Sequence, residues 1–285
     1  MTLDKKLNIA VLQVDGQNCF CHSKGPLYVP GAVEDMARAA AFIKRNKEHI
    51  KNIYATFDVH SKMQIFHATW WKDQSGNHPE PFTTITAQDV IDGKWIPQIE
   101  QDWSLTYILK LEAQDGFVHT IWPDHALIGT WSQLMYEPLL EAINEWQVNY
   151  GSMKALETLN KGWNPGYEFF GVFQPQVYQE DDPYTHFNQT FAEKLNQHAL
   201  VYAFGEAKSH CFGLSIKQLL DEANGGNEVC QKLLGKIVIL GDCASDIPGF
   251  EGVMDSYLQE ACDKYEMQIK NSDEVNVFED LNKHA

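Results

Sequence analysis

The stretch Gly205-Glu206-Ala207-Lys208-Ser209-His210-Cys211-Phe212-Gly213-Leu214 sets a cysteine where an apolar, strand-like run gives way to a helix-like one. Before it, Ala199 to Phe204 reads as a buried parallel strand. After it, Leu214, Ile216, Leu219 and Leu220 recur at helical spacing. A thiol at such a joint faces the unpaired N–H groups and the positive end of the helix, which favour thiolate over thiol and could hold an oxyanion. An isolated cysteine is more often small core packing, so the case for chemistry rests on its company. Asp15, Asp58, His60, His125 and Lys161 also follow apolar runs. Asp15, Lys161 and Cys211 would make a base, a cation that keeps the base ionised, and a sulfur nucleophile. Asp58-x-His60 puts two ligand types on one side of an extended chain. With His125 it gives one carboxylate and two imidazoles, a set with open positions suited to Zn, Mn or Fe. Each residue also has a plain alternative, as a capping Asp, a solvated Lys, a polar loop pair or a core Cys.

The elements that must position these residues alternate along the chain. Leu7 to Val14 reads as a first strand, ending at Asp15. A helix with Met36, Ala39, Ala40, Phe42 and Ile43 on one face follows, and Ile53 to Phe57 is a second strand ending at Asp58-Val59-His60. Residues 61–116 lose periodicity among scattered tryptophans and turn residues, with a short helical stretch from Leu105 to Glu112. Phe117 to Ile121 reads as a third strand running into Trp122-Pro123-Asp124-His125, and Ser132 to Tyr150 as a helix. Met153 to Leu159 is a fourth strand, ending at Asn160-Lys161-Gly162. A helix from His186 to Gln197, the strand that leads to Cys211, a sixth strand from Lys236 to Leu240 and a last helix from Val253 to Ile269 complete the pattern. The polar end, Asn271 to Ala285, reads as a surface tail. This alternation predicts a single α/β domain over 1–285, with a doubly wound, mostly parallel six-stranded sheet and helices on both faces. Ligands of such sheets bind beyond the carboxyl ends of the strands, the rim to which all six residues belong.

Composition narrows the partners. With 285 residues the chain can bury a large core. It carries 22 basic against 39 acidic residues, a net charge of -17, and no basic run, which argues against nucleic acid and anionic membranes. No apolar stretch reaches the ~20 residues of a membrane span. Six cysteines in a chain of this length do not suggest a disulfide framework, and the start Met1 to Lys6 leads into no signal-peptide core, so a reducing cytoplasm is expected. Cys19 and Cys21 lack a second pair to complete a metal site and read as packing.

Five segments, Val14-Asp15-Gly16-Gln17-Asn18-Cys19-Phe20, Asp58-Val59-His60, Trp122 to Thr130, Lys161-Gly162 and Gly205 to Cys211, resemble in order the motifs of the isochorismatase-like cysteine hydrolases, and most closely the nicotinamidases. The likeness spans nearly all of 7–245. It implies an Asp15, Lys161 and Cys211 triad, and an oxyanion hole formed by the backbone N–H groups of Ala207 and Cys211 with a cis peptide before Ala207. It also implies aromatic pocket walls at Phe20 and Trp122, and one divalent metal ion at Asp58, His60 and His125, zinc first with manganese or iron as alternatives. The implied activity is hydrolysis of a small carboxamide through a thioester, nicotinamide to nicotinate and ammonia. Other small amides, carbamoyl or ureido compounds are the nearest alternative. A metal-activated water with an idle cysteine and an inactive metal-binding interaction protein are the others. His67 lies one position farther from the Asp58-x-His60 pair than the family pattern and stays outside the ligand set. The segments 61–116 and 163–183 leave the same rim and are expected to cover it. Their tryptophans suggest a lid, a homo-oligomeric interface, or both, and Glu168 from the second segment is placed to read a polar substituent.

Overall fold

Ile9–Val14 (β1) is buried at every position, and its side chains alternate between two cores. Ile9 and Val11 enter one, and Ala10, Leu12 and Val14 the other. A strand covered on both faces must do this. In the computed structural model, which describes residues 8–114, 118–148 and 156–283, β1 lies at the centre of a six-stranded sheet. The other strands are Ile50–Asp58 (β2), Leu156–Lys161 (β3), Leu200–Gly205 (β4), Ile237–Leu240 (β5) and Gln268–Lys270 (β6). They run in the order β6-β5-β4-β1-β2-β3, every pair parallel. Helices Ala32–Asn46 and Glu137–Val148 cover one face. Helices Gln189–Asn196, Cys211–Asn224, Glu228–Leu234 and Asp255–Tyr265 cover the other. Strand order reverses between β1 and β4, the point at which a crevice opens in such sheets.

Register brings the strand ends level there. Val14 pairs with Gly205, and Asp58 with Lys161. Gly205 has φ of 145° and its absent Cβ would stand 2.1 Å from the Val14 carbonyl oxygen, so glycine is what lets β4 close against β1.

Three expectations need correction. The run Phe117 to Ile121 is not a strand of the main sheet. Phe117 lies outside the described residues, and His119–Thr120 pairs antiparallel with Thr84–Ile85 in a separate two-stranded piece. Val118 is exposed and His119 buried, an alternation unsuited to a strand covered on both faces. The sixth place is taken by Gln268–Lys270, because the last helix stops at Tyr265 where Glu266 turns into the left-handed region. The expected surface tail contains the helix Val277–Lys283. Its Asp280 is fully buried, accepts from Tyr202 Oη at 2.8 Å and pairs with Lys270. Residues 115–116 of the insertion, 149–150 of the helix after Ser132, 153–155 of the expected fourth strand and 284–285 of the tail also lie outside the described residues.

The 61–114 segment builds a third core from short pieces. Phe66, Trp70, Trp71, Tyr107 and Leu111 pack there with Tyr167 and Val177 from the loop after β3. Trp70 Nε1 donates to Ser104 Oγ at 2.9 Å, and Trp103 Nε1 to the Gly166 carbonyl at 2.9 Å, which ties the two segments together. Trp70 and Trp71 are buried within their own chain, so their burial calls for no second subunit. Trp163 faces outward, 57% exposed, rather than into a lid. No helix among the described residues is long and apolar enough to cross a membrane.

Candidate active site

Asp15 is the residue after β1, fully buried, with φ of 49° in the sparsely populated left-handed region. Its carboxylate is held from the neighbouring strand, where Thr56 Oγ1 donates to Oδ1 at 2.6 Å and accepts from the Asp15 N–H at 3.2 Å. Lys161, the last residue of β3, brings Nζ to 2.8 Å from Asp15 Oδ2, 2.5 Å from Asp58 Oδ1, 2.9 Å from the Phe169 carbonyl and 3.7 Å from Cys211 Sγ. Cys211 is the first residue of helix Cys211–Asn224, and the Asp15, Asp58 and Cys211 ligating atoms all lie within 4.8 Å of one another. The triad suggested by sequence is thus assembled from the ends of β1, β3 and β4. The Glu206–Ala207 peptide is cis, and the N–H groups of Ala207 and Cys211 have no acceptor among the described residues.

Electrostatics set the resting proton positions. Burial pushes the Asp15 carboxyl up to about 6 against the pull of Lys161. Burial also opposes ionisation of Asp58, but Lys161 and His60 outweigh it and hold that carboxyl below the usual carboxylate range. Burial alone would lower Lys161; Asp15 and Asp58 instead keep it well above the ordinary lysine range, a permanent cation between two carboxylates. The thiol corrects the sequence expectation. Burial, reinforced by Asp15 and Asp58, drives Cys211 well upward despite Lys161 and the helix end, so at rest it is a thiol and not a thiolate.

Beside the triad, Asp58, His60 and His125 present ligating atoms within 4.8 Å of one another, all buried. His60 Nδ1 lies 3.0 Å from the Gly162 carbonyl and His125 Nδ1 2.8 Å from the Pro123 carbonyl. Carbonyls only accept, so each Nδ1 carries a proton, which leaves Nε2 as the atom each ring can offer to a ligand. Burial, with His60 nearby, lowers His125 to about 3, which leaves it neutral. Two imidazoles, the His125 ring neutral, and an ionised carboxylate converging in a buried space fit a divalent ion of borderline softness. Gly162 is needed at this point, since a Cβ would stand 2.5 Å from His60 Cε1. His67 stands one ring farther out, its centroid 6.0 Å from that of His60 and 5.8 Å from that of His125, with a buried Nε2 that has no partner.

Cys211, Asp58, His60 and His125 open onto one cavity. Phe20 and Trp122 line it, as the resemblance implied, joined by Phe66, Phe169, Phe170 and Glu168, the last from the loop after β3. Sequence reasoning missed Thr56 and Gln17. Gln17 Nε2 donates to the Asp58 carbonyl and Gln17 Oε1 accepts from the Asp58 N–H, both at 2.8 Å, which clamps the first loop to the end of β2. Thr56 gave a signal in its place two residues before Asp58 on a buried strand. Gln17 gave one in the polar run after β1. Neither signal identifies a partner without the register.

The all-parallel sheet with helices on both faces and a crevice at its switch point is a doubly wound α/β fold. Among solved structures, the yeast nicotinamidase Pnc1p matches with a TM-score of 0.58 and 16% identity, over 92% of this chain and 98% of that one. The Acinetobacter baumanii nicotinamidase/pyrazinamidase matches at 0.58 and 19%, over 94% and 98%. The pyrazinamidase of Pyrococcus horikoshii in complex with zinc matches at 0.50 and 17%, over 93% and 99%. No protein-family model and no curated protein sequence matches the chain. At these identities the likeness is one of fold.

Proposed function

We propose that the protein is a cysteine amidohydrolase that converts a small planar carboxamide, nicotinamide first among the candidates, to the carboxylic acid and ammonia. The observation that carries this reading is the buried Asp15, Lys161 and Cys211 cluster beneath an aromatic cavity, with two unpartnered N–H groups at Ala207 and Cys211. Phe20, Phe66, Trp122, Phe169 and Phe170 give the cavity the flat, apolar walls that suit an aromatic ring. Proteins of the same fold that act on nicotinamide and pyrazinamide support the choice of substrate.

Asp15 takes the Cys211 proton as sulfur attacks the carboxamide carbon, and the Ala207 and Cys211 N–H groups receive the oxyanion. Asp15 then gives the proton to the departing nitrogen, the C–N bond breaks, and ammonia leaves behind a thioester. Water, deprotonated by Asp15, cleaves the thioester; the acid departs and the thiol is restored. Lys161 stays charged throughout and keeps Asp15 a carboxylate between steps. A divalent ion at Asp58, His60 and His125, zinc first and manganese or iron as alternatives, would supply a Lewis-acidic point that orients a ring nitrogen. All six cysteines are unpaired, which suits a reducing compartment such as the cytoplasm. The test is ammonia release from a panel of nicotinamide, pyrazinamide, benzamide and ureido compounds. Release from aromatic carboxamides that disappears in Cys211→Ala is expected; release that survives in that variant overturns the reading.

A further inference from the structure

Glu168 has no part in the chemistry just derived, yet its carboxyl lies in the wall of the same cavity as Cys211 and is only 5% exposed. Its backbone is fixed on both sides. The N–H donates to Tyr107 Oη at 3.3 Å, and the carbonyl accepts from the Gln176 N–H at 2.9 Å. Its side chain makes one hydrogen bond among the described residues, accepting from Trp122 Nε1 through Oε1 at 2.6 Å. Among the described residues no lysine or arginine forms an ion pair with it, and Lys161 is committed to Asp15 and Asp58. Burial drives the Glu168 carboxyl well above the usual range, so it is a neutral acid, and a neutral acid that accepts through one oxygen donates from the other.

A wall meant only for a plain aromatic ring would be cheaper if apolar, since a buried polar group with spare hydrogen-bonding capacity is unfavourable until something satisfies it. Phe66, Phe169 and Phe170 supply such a wall elsewhere in the cavity. We infer that Glu168 is a specificity-determining residue, one that donates a hydrogen bond to an acceptor on the substrate, so that the preferred substrates are small aromatic carboxamides bearing a hydroxyl, oxo or similar neutral oxygen substituent on the ring. The inference rests on the amidohydrolase reading for its substrate class. Trp122 has a double task here, stacking in the pocket and holding the acid so that its second oxygen is free for the ligand.

The experiment compares nicotinamide with ring-hydroxylated nicotinamides in wild type, Glu168→Gln, Glu168→Met and Glu168→Asp, by kcat/KM for ammonia release and by calorimetric binding of the same amides. Wild type should favour at least one hydroxylated amide by about tenfold to a hundredfold. Glu168→Gln, whose amide donates while its carbonyl accepts from Trp122, should keep that preference to within about fivefold. Glu168→Met should abolish it, so that hydroxylated and plain amides differ by no more than about threefold in that variant. Glu168→Asp, one methylene shorter, preserves the acid but not its reach and should lose the preference, which keeps the test decisive if the Met variant fails to fold. Absence of any preference in wild type, or a preference unchanged in both the Met and Asp variants, overturns the inference. So does a Gln variant that behaves like the Met variant together with a gain for aminomethyl-substituted amides, since that would mean an ionised carboxylate reading a cation. If wild type releases ammonia from no amide, the amidohydrolase reading fails, and the calorimetric preference still decides the role of Glu168.

Discussion

Replacing Lys161 by Met should move the pH at which the enzyme switches on. Methionine has nearly the length of the lysine stem, so little packing is lost, while the cation between Asp15 and Asp58 is removed. At 2.8 Å, the attraction between Lys161 and Asp15 is about 6 kcal/mol for an effective dielectric of about 20. At ~1.4 kcal/mol per pH unit this corresponds to about four units of carboxyl pKa. Even half of that carries Asp15 from about 6 to about 8. Asp15 must be a carboxylate to accept the thiol proton, so activity falls as pH drops through its pKa. Wild type should therefore lose activity below about pH 6. The variant should be at least about tenfold down in kcat/KM at pH 7 and recover most of that loss by pH 9. Stability should move in the opposite sense. A carboxyl whose folded pKa is raised contributes most at low pH and loses that contribution as pH rises through the folded value. Unfolding midpoints of Lys161→Met should thus fall further below wild type as pH increases from 6 to 9. The assay is initial-rate ammonia release across pH 5–9, paired with thermal melts in the same buffers. A variant with wild-type rate at pH 7, or with a loss of equal size at every pH, would refute the assignment of Lys161 as the group that keeps Asp15 ionised.

Two further outcomes follow from the same geometry. Protein never exposed to chelator should carry close to one divalent ion per chain by elemental analysis; His60→Ala and His125→Ala should empty the site, whereas His67→Ala, lying one ring farther out, should weaken retention by about tenfold without abolishing it. Asp280→Ala strands the buried Tyr202 hydroxyl behind β4 and leaves the part-buried Lys270 without its partner, and should cost about 1–3 kcal/mol in urea unfolding with the activity unchanged. A neutral effect there would mean that the last helix is peripheral after all.

The parts of this molecule that could be read in the sequence are those with regular apolar runs. β1, β2, β4 and β5 are buried on both faces, so their positions stand out, and the strand-to-helix joint at Cys211 follows from the run before it and the spacing after it. The edge of the sheet was less legible. Gln268–Lys270 is three residues long and half exposed, and its one apolar residue continues the spacing of the preceding helix. Phe117 to Ile121 has the composition of a strand, but composition does not tell a main-sheet strand from a two-residue pairing inside an insertion. The last helix looks like a polar tail because its hold on the core rests on Val277 and Asp280, and a buried aspartate is not an apolar signal. The third core has no period at all, being assembled from turns whose tryptophans find partners far along the chain. At the site, residue types indicated the chemistry, but the protonation state of Cys211 did not follow from its helix. It depends on complete burial beside Asp15 and Asp58, which only the packed structure reveals.

The central claim is that Cys211 carries the acyl group between amide and acid. The most direct measurement is intact-mass spectrometry of enzyme mixed with a reactive carboxamide and quenched in acid within the first turnover, followed by peptide mapping. A transient adduct with the mass of the acyl group is expected on the peptide that contains Cys211, formed with the release of one ammonia and lost as the free acid accumulates. Product formation with no adduct at any quench time, together with retained turnover in Cys211→Ser, would contradict it.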